Sequence, residues 1–109
     1  MTRFYCPYLN SEVELTDERE EHISLQHPDL LPDYHPAIQK TLTDPDQIRC
    51  SSRFSGARLF SRWFDSVRDG KYVVVIVVSD AQSIERHWII TAYIARKLAK
   101  GREIEWERN

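Results

Sequence analysis

Four histidines, His22, His27, His35 and His87, are the side chains of this chain that titrate near neutral pH without help from their surroundings. Proton transfer usually recruits such groups. Eleven of the fifteen basic residues are arginine, whose planar fork of donors matches phosphate and carboxylate. Alternation along extended segments puts Arg49, Ser51 and Arg53 on one side of theirs, and Arg58 and Arg62 with Phe60 and Phe64 on one side of another. In the stretch from His87, the residues His87, Ile89, Thr91 and Tyr93 share a side, and Trp88, Ile90, Ala92 and Ile94 form the opposite, core-facing side. Were strand pairing to gather the polar sides, one surface would hold guanidinium groups, flat rings, an imidazole and hydroxyls. That set suits a ligand made of phosphates and bases. The competing reading is an ordinary solvated sheet face.

Other chemistries find less support. His22 and His27 are five apart, so they do not share a helix face and make no HExxH site. Glu18 precedes His22 by one helical turn, enough for a surface ion pair. Cys6 and Cys50 form no CxxC and read as free thiols of a reducing, cytoplasmic compartment. Neither a metal site nor a cofactor motif is expected: GxSxG, the P-loop, GxGxxG and the kinase signatures are all absent.

With 109 residues the chain has room for one domain, 1–109. It has no apolar run of membrane-spanning length, and its first ten residues do not look like a secretory leader. A net charge of -2 by itself argues against a nucleic-acid binder. The average hides a split, because residues 1–47 sum to -7 and residues 48–109 to +5.

The elements that must position these residues follow from local signals. Phe4 to Leu15 reads as extended, with a turn at Asn10-Ser11. Thr16 is a good N-cap for a helix over Asp17–Gln26, which ends at His27 because Pro28 follows. Tyr34, Ile38 and Leu42 give the apolar stripe of a second helix over Asp33–Leu42. The period then changes to two, predicting strands over Ile48–Arg53, Ala57–Phe64, Lys71–Ser79 and His87–Ala95, with a hairpin at Asp69-Gly70. Residues 95–100 could add a helical turn, and Ile104 and Trp106 alternate as a short edge strand. The expected fold is α+β: an N-terminal extended hairpin and two helices packed on one face of a roughly four-stranded antiparallel meander sheet.

Several phrases are recognisable in this arrangement: LTDEREEHI (15–23), HPDLLPDY (27–34), IQKTLTDPDQIR (38–49), KYVVVIVV (71–78) and ITAYIARKLAKGREIEW (90–106). They resemble the phage-encoded branch of the barnase–EndoU–colicin–RelE superfamily of small bacterial ribonuclease-like domains, over nearly the whole chain. The resemblance implies two helices over an antiparallel sheet and a metal-independent endoribonuclease of a toxin-like or phage-derived system. On the matching positions it implies His22 or His27 as base or acid and Arg49 or Arg62, with Arg53 nearby, as phosphate clamps. Thr91 and Tyr93 would be positioning hydroxyls, and His87 a second proton-transfer group. RNA, or a protein such as an antitoxin, would be the partner. The alternative is a non-catalytic RNA- or protein-binding module of the same fold, or a small soluble domain with no such site.

Overall fold

The first hairpin, β1 (Thr2–Cys6) and β2 (Ser11–Leu15), turns through Asn10, which takes a positive φ of 50°. The structure is a computed structural model and describes residues 1–51, 56–80, 85–98 and 103–108. Thr16 then caps α1 (Asp17–Gln26), its hydroxyl accepting from the Arg19 backbone N–H, with Asp17, Glu18 and Glu20 in the first turn where the helix dipole favours them. Helix α2 (His35–Thr43) starts two residues later than the apolar stripe suggests. Pro36 has no N–H to give, so it is tolerated only in a helix's first turn, and it fixes the start.

Four strands follow: β3 (Gln47–Cys50), β4 (Ala57–Phe64), β5 (Lys71–Asp80) and β6 (Arg86–Ala95). A last strand, β7 (Ile104–Glu107), is the final element among the described residues. The β4–β5 turn carries positive φ at Arg68, Asp69 and Gly70. The later part of the helical turn expected over 95–100 lies outside the described residues, as does the Arg53 end of the strand expected to follow Ile48.

The four-stranded antiparallel meander is corrected by the sheet itself. It has seven strands in the order β1-β2-β6-β5-β4-β3-β7, and it is mixed, because β2 runs parallel to β6 through Val13 opposite His87 and Glu14 opposite Trp88. The N-terminal hairpin is part of this sheet. The physical reason is that a meander leaves two edges of unpaired backbone groups. The hairpin closes one of them and β7 the other, pairing antiparallel with β3.

The helices cover one face. Phe4, Val13, Leu15, Ile48, Phe60, Val73, Val75, Val77, Ile89 and Ala92 from the strands meet Ile23 of α1 and Ala37, Ile38 and Leu42 of α2, with Leu30 and Leu31 from between the helices. Each fully buried aliphatic or aromatic side chain there contributes about 1.5–3 kcal/mol.

One irregularity decides which side chains face where. The β5–β6 register runs Ile76 opposite Thr91 and then Val77 opposite Ile89, which leaves Ile90 as an extra residue. An extra residue flips the alternation. Before it, His87 and Ile89 point to the core; after it, Ala92 and Ile94 do. The expected grouping of His87 and Ile89 with Thr91 and Tyr93 is therefore broken, and Trp88 and Ile90 leave the core-facing set.

Candidate functional site

On the face away from the helices, Arg49, Leu59, Ser61, Val74, Tyr93, Ala95, Lys97 and Leu98 line a hollow of about 20 Å³, room for about one water. Register explains the grouping. Arg49 pairs with Leu59 and Val74 with both Ser61 and Tyr93, so these residues share one side of the sheet. Arg49 is held in place: its Nε–H donates to Gln47 Oε1 at 2.6 Å, and the Gln47 amide donates onward to Glu107 Oε2 at 2.8 Å. Thr91 stands two residues before Tyr93 on the same side of β6.

An imidazole reaches this group from α1. The helix packs beside β6, with the Arg19 guanidinium donating to the carbonyl of Ile90 at 3.4 Å. His27 caps its C-terminus, the backbone N–H donating to the Ile23 carbonyl. The His27 ring then lies 6.0 Å from the Tyr93 ring, the two tilted by 38°. Both residues are half-buried, so each keeps a path to solvent.

The remaining sequence candidates stand elsewhere. His22 is exposed on α1. Arg62 pairs with Val73, so it projects on the helix side, where it donates to the Asp44 carbonyl at 2.6 Å and bridges to Asp46 at 3.7 Å. Arg53 lies outside the described residues. His87 is 2% exposed and also on the helix side.

His87 belongs to a polar chain with no counterpart in the sequence reading. Its Nε2 is 3.1 Å from Glu85 Oε1 and its Nδ1 is 2.6 Å from Ser79 Oγ. A carboxylate only accepts, so a neutral ring carries its proton on Nε2 and accepts a hydrogen bond from the Ser79 hydroxyl at Nδ1. Arg58 Nη1 donates to the same Ser79 oxygen at 3.5 Å. Arg58 Nε, in turn, donates to Glu105 Oε2 at 2.7 Å. Glu105 also receives the Tyr8 hydroxyl at 2.5 Å and the Cys50 thiol at 3.1 Å. Desolvation pushes the Glu105 carboxyl up, but the hydrogen bonds from Tyr8, Cys50 and Arg58 and the Arg58 charge together hold it below its ordinary value. Desolvation and the bond to Glu105 push the Tyr8 phenol up to about 12. The bond to Glu105, then desolvation, raises Cys50, and burial raises Cys6, so both thiols stay protonated and weakly nucleophilic. Each group in this chain is satisfied by its neighbours, which makes it a tie between strands.

Among the described residues no cluster of three or more His, Cys, Asp or Glu side chains could hold a metal ion, and no helix is long and apolar enough to cross a membrane. No protein-family model, no curated protein and no solved structure matches the chain.

Proposed function

We propose that this chain is a metal-independent endoribonuclease acting in the cytoplasm, with its reaction centre on the open face around His27, Thr91, Tyr93, Arg49 and Lys97. The observation that carries this reading is the approach of the His27 and Tyr93 rings to 6.0 Å at a hollow that Tyr93 shares with Arg49 and Lys97. The chemistry needs few parts. The ribose 2′-hydroxyl loses its proton to a base, O2′ attacks the adjacent phosphorus, and the 5′-oxygen leaves with a proton from an acid. The product is a 2′,3′-cyclic phosphate. His27 takes the 2′-hydroxyl proton and returns it to the leaving 5′-oxygen. Arg49 and Lys97 meet the charge that grows on the phosphorane oxygens. Thr91 and Tyr93 orient the phosphate through their hydroxyls. Gln47 is a positioning residue, since it holds Arg49 Nε. The resemblance noted in the sequence points the same way, at the same His-Pro and ITAY positions.

Incubation with single-stranded RNA in EDTA tests the reading. The expected result is cleavage with 2′,3′-cyclic phosphate ends that His27→Ala and Tyr93→Phe suppress. RNA left intact, or cut equally by wild type and both variants, overturns it.

A further inference from the structure

The open face carries an aromatic pair that the reaction centre does not use. Trp63 and Tyr72 face each other across β4 and β5, ring centroids 5.0 Å apart and inclined at 75°. Trp63 is 41% exposed, yet its indole is pinned on several sides. Nε1–H donates to Asp65 Oδ1 at 2.7 Å, and the backbone N–H donates to Asp46 Oδ2 at 2.7 Å. Part of the ring lies so close to Gly70 that a Cβ there would sit 2.6 Å from Cζ2. A large flat side chain is thus fixed in orientation while much of it stays in water.

The pair borders the hollow. Tyr72 pairs with Ala95, which lines it, and stands two residues before Val74, which also lines it. Two residues of strand span about 7 Å. A nucleic-acid strand whose phosphate rests against Arg49 and Lys97 at the mouth of the hollow would therefore bring a neighbouring base to the aromatic pair.

We propose that Trp63, backed edge-to-face by Tyr72, is a stacking subsite for a nucleobase flanking the scissile phosphate, which makes single-stranded RNA the substrate class. This rests on the ribonuclease reading of the adjoining hollow and deepens it. Every base offers a π-face, so such a platform tolerates sequence while requiring an unpaired, splayed base. Duplex RNA keeps its base faces stacked on one another and is excluded.

The test uses two uncleavable probes, a fluorescein-labelled deoxyuridine hexamer and the matched abasic hexamer, with affinity read by anisotropy at fixed salt. Wild type should bind the base-bearing hexamer more tightly. Trp63→Ala should weaken that binding by about fivefold to about a hundredfold and leave the abasic hexamer within about twofold. Trp63→Phe, which keeps a ring on Gly70, should retain most of the affinity and guards against misfolding of the alanine variant. Equal affinity of wild type for the two hexamers, or equal loss of both in Trp63→Ala with Trp63→Phe intact, overturns the stacking subsite. RNA cleavage in EDTA reports separately on the parent reading. Base-dependent binding through Trp63 without cleavage upholds the subsite and removes the nuclease; cleavage without base dependence does the reverse.

Discussion

Arg58 Nε donates to Glu105 Oε2 at 2.7 Å, and this bond reaches from β4 across β3 to the outermost strand. β7 is four residues long and exposed throughout, so its own burial holds it weakly. Glu105 adds Tyr8 from the first hairpin's turn and Cys50 from β3. One carboxylate thus fastens a short edge strand to three parts of the fold.

Acid should loosen this fastening. The Glu105 carboxyl sits below its ordinary value in the folded chain. A lowered folded-state pKa contributes stability that is present above the unfolded value, about 4.3, and is lost as pH falls through the folded value. Glu105→Gln should cost about 1 kcal/mol at pH 7, a modest figure because both partners keep some exposure, 29% for Arg58 and 24% for Glu105. Urea unfolding between pH 2 and 7 checks this. The variant should show a shallower acid limb than wild type; parallel limbs would mean that the carboxylate contributes no pH-dependent stability. At the other extreme, Tyr8 has its phenol pushed up to about 12. Its contribution is present below the ordinary value of about 10 and is lost as pH rises through about 12. Tyr8→Phe should therefore remove the last step of the tyrosinate absorbance titration.

Two arginines nominated for the same role separate by face. Arg49 stands at the hollow, whereas Arg62 is held by Asp44 and Asp46 on the helix side. Arg49→Ala should lower kcat/KM for RNA by about 10²–10³, the usual effect of removing one donor from a developing anion. Arg62→Ala should cost about 1–2 kcal/mol of stability, since it strips hydrogen bonds from the Asp44 carboxylate and carbonyl and an ion pair from Asp46, and leave kcat/KM within about twofold. Steady-state kinetics with urea melts on both variants decide the matter. The reverse pattern, activity lost in Arg62→Ala and kept in Arg49→Ala, would move the reaction to the helix face.

Gly70 is the position where the β4–β5 turn tolerates least change. Its φ is +101°, and an added Cβ would meet the Trp63 ring at 2.6 Å. The indole has little room to yield, with Tyr72 at 5.0 Å and Asp65 holding Nε1. Gly70→Ala should destabilise by about 2 kcal/mol or more and displace Trp63, which a shift in indole emission would report. A variant as stable as wild type would show that the indole is not pinned there.

What could be read from the chain divides by range. Thr16 as a cap, the stop at His27 and the turn at Asp69-Gly70 are local signals, and they mark real boundaries. The seven-stranded order was not legible, because Val13 meets His87 and Cys50 meets Glu105 through pairings between distant stretches that no turn chemistry announces. The extra residue at Ile90 is equally silent: an isoleucine in an apolar strand looks the same in or out of register. That single residue sent His87 to the core and kept Thr91 and Tyr93 outside. Trp63 was no easier to place, since a two-residue turn at Asp69-Gly70 would set it opposite Ile76, whereas a longer connection after Phe64 sets it opposite Tyr72.

The histidines of α1 offer the sharpest contrast. His22 and His27 are five residues apart, about 140° around a helix at 100° per residue, and only His27 meets the Tyr93 ring among the described ring pairs. His22 is exposed on the helix surface. His27→Ala should lower kcat by about 10²–10⁴, the range typical of a lost proton-transfer group. The cap bond is made by the His27 backbone N–H, which any substitution but proline keeps, so His27→Asn, which also retains a polar side chain, should fold as wild type does without restoring kcat. His22→Ala should stay within about 0.5 kcal/mol in stability, as surface substitutions do, and within about twofold in kcat. If His27→Asn cleaves RNA at the wild-type rate, the imidazole only packs beside Tyr93, and the proton must travel by another group on the open face.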